Sequence, residues 1–245
     1  MSLVVVAGAT GALGRGIVDR LLSEGHEVLA LARSEPSLAS LAASTGVRTL
    51  VHDVRDHAAL VAGAVGDARL GALVHVAGPP IVGGILEVTP DDVLAAIDVK
   101  VNGLLRLVRA LDGALTTGSR VIAVGGNLGF DPVASAATPG IGNAAQANAV
   151  RQLNRALAPR GVTCYTVAPG PVATERLARL IADEAAASAI SIAEVERAMV
   201  AASPLGRLTT IGEVAWAVVR LLDPEAGALA GSTLLLDTGR RTALP

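Results

Sequence analysis

The chain has 245 residues, a formal charge of −2, 51% hydrophobic residues and 1% aromatic ones. This length suits one large domain, with a core of Val, Leu, Ile and Ala because aromatic side chains are almost absent. The small charge gives no bulk attraction to nucleic acid or an anionic membrane, and the single cysteine, Cys164, excludes an internal disulfide or a cysteine-rich metal site.

No His/acid spacing suggests a metal either. The opening MSLVVVAGATG has an apolar run too short for a signal peptide. No apolar run approaches the roughly 20 residues of a membrane helix. A cytoplasmic protein, without nucleic-acid or membrane partners, is the expectation.

Short apolar runs predict strands at residues 3–7, 28–32, 47–51, 72–76, 120–124, 162–167 and 233–236. They are continuous rather than alternating, as in strands covered on both faces. Helical spacing lies between them. It is clearest over 91–115, where Val93, Leu94, Ile97, Val101, Leu104, Leu105, Val108 and Leu111 share a side. Such alternation predicts one α/β domain spanning residues 1–245, a doubly wound, seven-stranded parallel sheet with helices on both faces.

The first strand runs into AGATGALGRG. Gly8, Gly11 and Gly14, with Thr10 and Leu13 between them, predict a phosphate loop. Gly8 makes the turn, Gly11 admits a pyrophosphate and Gly14 lets helix and strand pack closely. The helix that follows offers its N-terminal N–H groups to the anion. At the end of the second strand an acid would hold a ribose 2′-hydroxyl, but Ala32 stands there, followed by Arg33 and Ser34. A guanidinium suits a 2′-phosphate, so NADP(H) is the expected cofactor. After the third strand Asp53 and Val54 are expected at the adenine. Residues 174–204 are Ala-rich, lack a strand pattern and predict one or two helices. They are either a surface pair or a lid over a substrate pocket.

Taken in order, several stretches resemble the short-chain dehydrogenase/reductase family over nearly the whole length. AGATGALG is similar to its glycine loop in the extended and atypical branches. HDV is similar to its adenine motif, and HVAG (His75, Val76, Ala77, Gly78) to its Asn-Asn-Ala-Gly. VAPGPVAT, with Pro169, Gly170 and Val172, is similar to the Pro-Gly motif beside the nicotinamide. SPLGRLTTIGEVAWAVVRLL and GSTLLLDTG resemble the last helix and strand. The resemblance implies a Rossmann-type fold, a small-molecule substrate, and a homo-oligomer, dimer or tetramer, assembled through the helices expected at 91–115 and 143–159.

It also implies chemistry by an Asn, a Ser, a Tyr and a Lys. Tyr donates a proton to a carbonyl that receives hydride, Lys lowers the tyrosine pKa and holds the nicotinamide ribose, Ser polarises the carbonyl, and Asn keeps a relay water. Matched residue by residue, the Asn position holds Lys100, and the Ser position holds Gly126 with Asn127 next. The Tyr position holds Asn143 and the Lys position Ala147. Tyr165 is the only tyrosine and Lys100 the only lysine, so the chain contains no Tyr-x-x-x-Lys.

Lys100 is the first candidate for catalysis, as proton donor, oxyanion stabiliser or amine nucleophile. The plain alternative is a lysine that reaches solvent or pairs with Asp98 or Asp131. Asn127 and Asn143 are candidates for binding a carbonyl or enolate oxygen, and Asn143 alternatively begins a helix after Gly142. His75 is expected to be packed, Tyr165 to be buried with its hydroxyl satisfied, and His26, His52 and His57 to be peripheral. Three functions fit. The first is an atypical NADP(H)-dependent oxidoreductase acting on a small carbonyl metabolite. The second is a non-redox cyclase, dehydratase or isomerase. The third is a non-catalytic NADP(H) sensor or oligomer partner.

Overall fold

The computed structural model describes residues 2–79 and 83–241. The strands are β1 (Leu3–Ala7), β2 (Glu27–Ala32), β3 (Arg48–Val51), β4 (Leu70–His75), β5 (Leu115–Val124), β6 (Thr163–Pro169) and β7 (Thr233–Leu236). They form one parallel sheet in the order β3-β2-β1-β4-β5-β6-β7. The order reverses between β1 and β4, and the crevice beyond their C-terminal ends is where such sheets bind ligands.

The helices among the described residues are α1 (Ala12–Ser23), α2 (Glu35–Thr45), α3 (Ala59–Val65), α4 (Pro90–Ile97), α5 (Gly103–Ala110), α6 (Ala137–Leu157), α7 (Glu175–Ser188), α8 (Ile192–Ala201) and α9 (Ile211–Arg220). Side chains alternate along β1, so Val4 and Val6 join a core with Ile17, Leu21, Leu38, Val214 and Val218 on one face. Leu3, Val5 and Ala7 join Val61, Leu104, Leu107, Val150 and Leu157 on the other. Each face buries its own apolar layer, which is why the strands read as unbroken apolar runs.

Two expectations need correction. The helix expected over 91–115 is α4, a π-helical turn at Asp98–Asn102, and α5, which stops at Ala110. Leu115 starts β5, pairs with Leu70 and is buried. Apolar spacing carries across the break, but the chain turns over Leu111, where the N–H groups of Ala114 and Leu115 bond back to its carbonyl. The second correction concerns α6, which begins at Ala137 rather than after Gly142. Pro139 is tolerated in its first turn, where no N–H is needed. Asn143 therefore lies inside the helix and caps nothing.

Residues 174–204 hold α7 and α8. Thr174 caps the first by accepting from the Leu177 N–H, and Ser191 with Glu194 forms a capping box on the second. The pair carries a small core of its own, Ile181, Ala185 and Val195 with Leu177 and Met199. Among the described residues no helix is long and apolar enough to cross a membrane.

Candidate active site

The glycine loop is built as its spacing predicts. Gly8 has φ +89°, and a Cβ there would lie 2.7 Å from the Ala77 backbone nitrogen. A Cβ on Gly14 would overlap the Gly8 carbonyl oxygen. Gly11 differs. It is exposed, and a Cβ there would meet only the Gly8 oxygen, at 3.7 Å. Two glycines thus close the loop on itself and the third leaves its outer side open. Gly11 is also the N-cap of α1, which has no capping side chain and no acid in its first turn. Unsatisfied N–H groups at a helix start favour an anion there. The loop fits a dinucleotide pyrophosphate. Thr10 and Leu13 are half-buried around it.

Arg33 is exposed at the end of β2 and has no ion-pair partner among the described residues. Ser34 caps α2, with its oxygen 3.3 Å from the Ser37 N–H and 2.8 Å from the Ser37 hydroxyl. The Arg55 guanidinium grips both oxygens of Asp53, at 2.7 to 3.1 Å, and holds that carboxyl below its usual range. An adenine amino group at Asp53 would have to share the carboxylate with Arg55. Val54 is buried against Gly103, where a Cβ would lie 2.9 Å from its Cγ2.

Across the crevice, Pro169 and Val172 are buried, and Gly170 donates its N–H to the Leu236 carbonyl at 3.0 Å. A Cβ on Gly170 would press on Asp237, 3.1 Å away, so the chain here lies tight on the end of β7.

Lys100 sits in the π-helical turn and is only 8% exposed. Its Cε and Nζ both lie 3.7 Å from where a Gly78 Cβ would be, so the ammonium faces the exposed turn after β4. Its Cδ is 3.1 Å from the Cβ position of Gly142. Among the described residues the ammonium has no hydrogen bond and no ion pair. Neither acid considered for it is its partner. Asp98 is held by Arg106 at 2.8 Å and Asn102 at 3.1 Å, and Asp131 is exposed. Burial, and then the positive charge of Arg176, lower the Lys100 pKa to about 8.

Asn143 is buried with its Nδ2 2.8 Å from where a Gly126 Cβ would be, and its Oδ1 has no partner. The short 3₁₀ turn Asn127–Gly129 packs on this part of α6, with the Gly129 Cβ position 2.9 Å from the Asn143 Cβ. The two asparagines are therefore neighbours through backbone packing. The Asn127 carbonyl collects the N–H groups of Phe130 and Asp131, at 2.8 and 2.9 Å.

His75 is fully buried at the end of β4. Burial, and then the Lys100 charge, push its pKa down to about 3, so it stays neutral. Gln146 was not legible as a site residue. It is wholly buried and its Nε2 donates to the Lys100 carbonyl at 3.2 Å, lying 3.5 Å from His75 Nδ1. Its only sequence signal is a polar side chain three residues after Asn143, on the same face of a small-residue helix. Tyr165 is buried as expected, its hydroxyl 2.8 Å from Thr163 Oγ1 and 2.9 Å from the Ala226 carbonyl.

One crevice at the C-terminal edge of the sheet thus brings together a glycine loop, a Pro-Gly segment and a buried cation. A family model described as enoyl-(acyl carrier protein) reductase matches residues 8–241. This chain belongs to the short-chain dehydrogenase/reductase family. A 3-oxoacyl-[acyl-carrier-protein] reductase of Vibrio harveyi is 28% identical over 246 residues, covering 97% of this chain and 96% of that one. Among solved structures, a variant of actinorhodin polyketide ketoreductase with NADPH is similar at a TM-score of 0.89 and 25% identity, over 98% of this chain and 97% of that one. BdcA in complex with NADPH is similar at 0.84 and 26%, over 100% and 96%. The family explains the sheet order and the glycine loop.

Proposed function

We propose that this chain is an NADP(H)-dependent oxidoreductase acting on a small carbonyl metabolite, with an active site that departs from the family's tetrad. One observation carries the reading. The single lysine is buried and, among the described residues, its ammonium has no hydrogen bond or ion pair, at the position that the resemblance matches to the family's asparagine. An unpaired buried ammonium is costly, and function is the usual reason such groups persist.

Gly8, Gly11, Gly14 and the start of α1 would hold the pyrophosphate, with Thr10 and Leu13 beside it. Arg33 and Ser34 would take the 2′-phosphate, and Asp53 and Val54 the adenine. Ala77, Gly78, Pro169, Gly170 and Val172 would line the nicotinamide half. When bound, the cofactor would supply hydride to the carbonyl carbon. Lys100 then stabilises the oxygen that gains charge and gives up a proton to it. A pKa near 8 suits that task, because at neutral pH the group is protonated and still a competent acid. Asn143 and Asn127 orient the carbonyl by hydrogen bonds. Helices α7 and α8 serve as the lid. We also expect a homo-oligomer, which size-exclusion chromatography with light scattering would test.

A non-catalytic NADP(H) sensor is the second reading, favoured by the burial and neutrality of His75, which cannot serve as a proton donor at neutral pH. The two readings part in one experiment, calorimetric titration with NADPH and NADH followed by a carbonyl screen monitored through NADPH absorbance. Micromolar NADPH binding with turnover supports the enzyme. Binding without turnover supports the sensor. No binding of either nucleotide contradicts both.

A further inference from the structure

Among the described residues the Lys100 ammonium has no hydrogen bond and no ion pair, so no polar contact holds the side chain itself in its buried place. What places it is the backbone of residue 100, within the π-helical turn Asp98–Asn102. Single π turns are rare interruptions of a helix and recur at functional sites. Among the described residues one side chain bonds to the turn at residue 100. Gln146 Nε2 donates to the Lys100 carbonyl at 3.2 Å.

The face of α6 that carries Gln146 is shaped to this turn. Gly142 lies one helical turn before Gln146 and shares its face. It leaves the space that the Lys100 stem fills, since a Cβ there would lie 3.1 Å from the Lys100 Cδ. Gln146 itself is wholly buried between Ala145 and Ala147, where an apolar side chain would give up no hydration. A carbonyl only accepts, so the amide nitrogen must face residue 100 and the amide oxygen must turn away. Oε1 accordingly points toward Gly125, 3.2 Å from where a Cβ would be, and has no partner. A buried oxygen left bare is costly. Against that cost stands the nitrogen, bonded to the turn and lying 3.5 Å from His75 Nδ1 at the end of β4.

We propose that Gln146 is a positioning residue: by holding the Lys100 carbonyl it seats the π turn on α6 and keeps the lysine side chain buried beside Gly78. This rests on the reading of Lys100 given above. Without the bond the turn is free to lift from α6. The ammonium, which no other group restrains, then moves out toward the exposed turn after β4 and regains its hydration. A hydrated lysine titrates at its ordinary, higher pH.

The test follows the Cε resonance of the single lysine against pH, in the full chain labelled with ¹³C-lysine. Gln146→Met keeps the length of the side chain and removes the donor. It should raise the Lys100 midpoint by about one pH unit or more above the parent's. Val150→Ala, one turn further along α6 and equally buried, loosens the same helix without touching the turn and should leave the midpoint in place. A midpoint unmoved or lowered in Gln146→Met overturns the proposal. So does an equal rise in Val150→Ala, which assigns the effect to general loosening. If Gln146→Met does not fold, the same outcomes are read on Gln146→Asn, whose amide is one carbon too short to reach the carbonyl. A parent that already titrates near 10.5 contradicts the reading of Lys100 itself, whereas a parent near 8 with unmoved variants contradicts only the role given to Gln146.

Discussion

In the function proposed above, Lys100 concentrates the chemistry in one side chain. Its charge acts on His75, which burial keeps neutral, and the positive charge that acts on it is that of Arg176, which cannot release its proton. Two predictions follow from its pKa of about 8. In the reductive direction, activity should be level below that pH and fall as pH rises through it, because the acid is lost. Lys100→Met should remove turnover while NADPH affinity stays within about three-fold, under 1 kcal/mol. The second prediction concerns stability. The folded pKa is depressed from 10.5 to about 8, so below 8 the folded state carries the full cost of a buried charge. Lys100→Met should therefore be more stable than the parent at pH 7, by about 3 kcal/mol. The advantage should shrink between pH 8 and 10.5, where the folded parent sheds the proton that the unfolded chain keeps. Thermal denaturation of both proteins across that range checks the sign. A variant less stable at pH 7 contradicts it.

At the scale of elements, helix α6 and the turn after β5 have adapted to each other. A Cβ on Gly126 would come within 2.8 Å of the Asn143 amide. Gly126→Ser alone should thus destabilise the fold by about 1–3 kcal/mol, through overpacking. Shortening position 143 in the double variant Gly126→Ser, Asn143→Ala should recover part of the loss, as chemical denaturation would show. The sequence exposes little of this. The start of α6 reads as a loop because its N-cap, Ala136, offers no capping side chain and ATPGIG holds one proline and two glycines. The end of α5 was hidden because apolar spacing runs on into β5. Gln146 gains meaning only from partners far along the chain, Lys100 and His75, which no local pattern reports. The glycine loop was legible because its three constraints are local. A Gly14→Ala change should collide with the Gly8 carbonyl, cost about 1–3 kcal/mol and weaken nucleotide binding.

At the scale of the whole molecule, strand alternation and both-face burial made the sheet readable. A parallel sheet needs crossover helices and continuous apolar strands, and both leave plain marks in the chain. The sheet order then puts the ends of β1, β2, β4, β5 and β6 around one crevice. The cofactor preference belongs to this scale, since it depends on Arg33 at the end of β2 standing free beside the loop after β1. Arg33→Ala should weaken NADPH binding about ten-fold or more and leave NADH binding nearly unchanged, as two calorimetric titrations would show.

Lys100 is a buried ammonium with no hydrogen bond or ion pair among the described residues, and the chain permits a direct measurement of it. Because it has one lysine, protein labelled with ¹³C-lysine gives one Cε resonance. Following that resonance against pH should show a midpoint near 8. A midpoint near the ordinary 10.5 would place Lys100 in water or against an acid, and would contradict its burial as an unpaired proton donor.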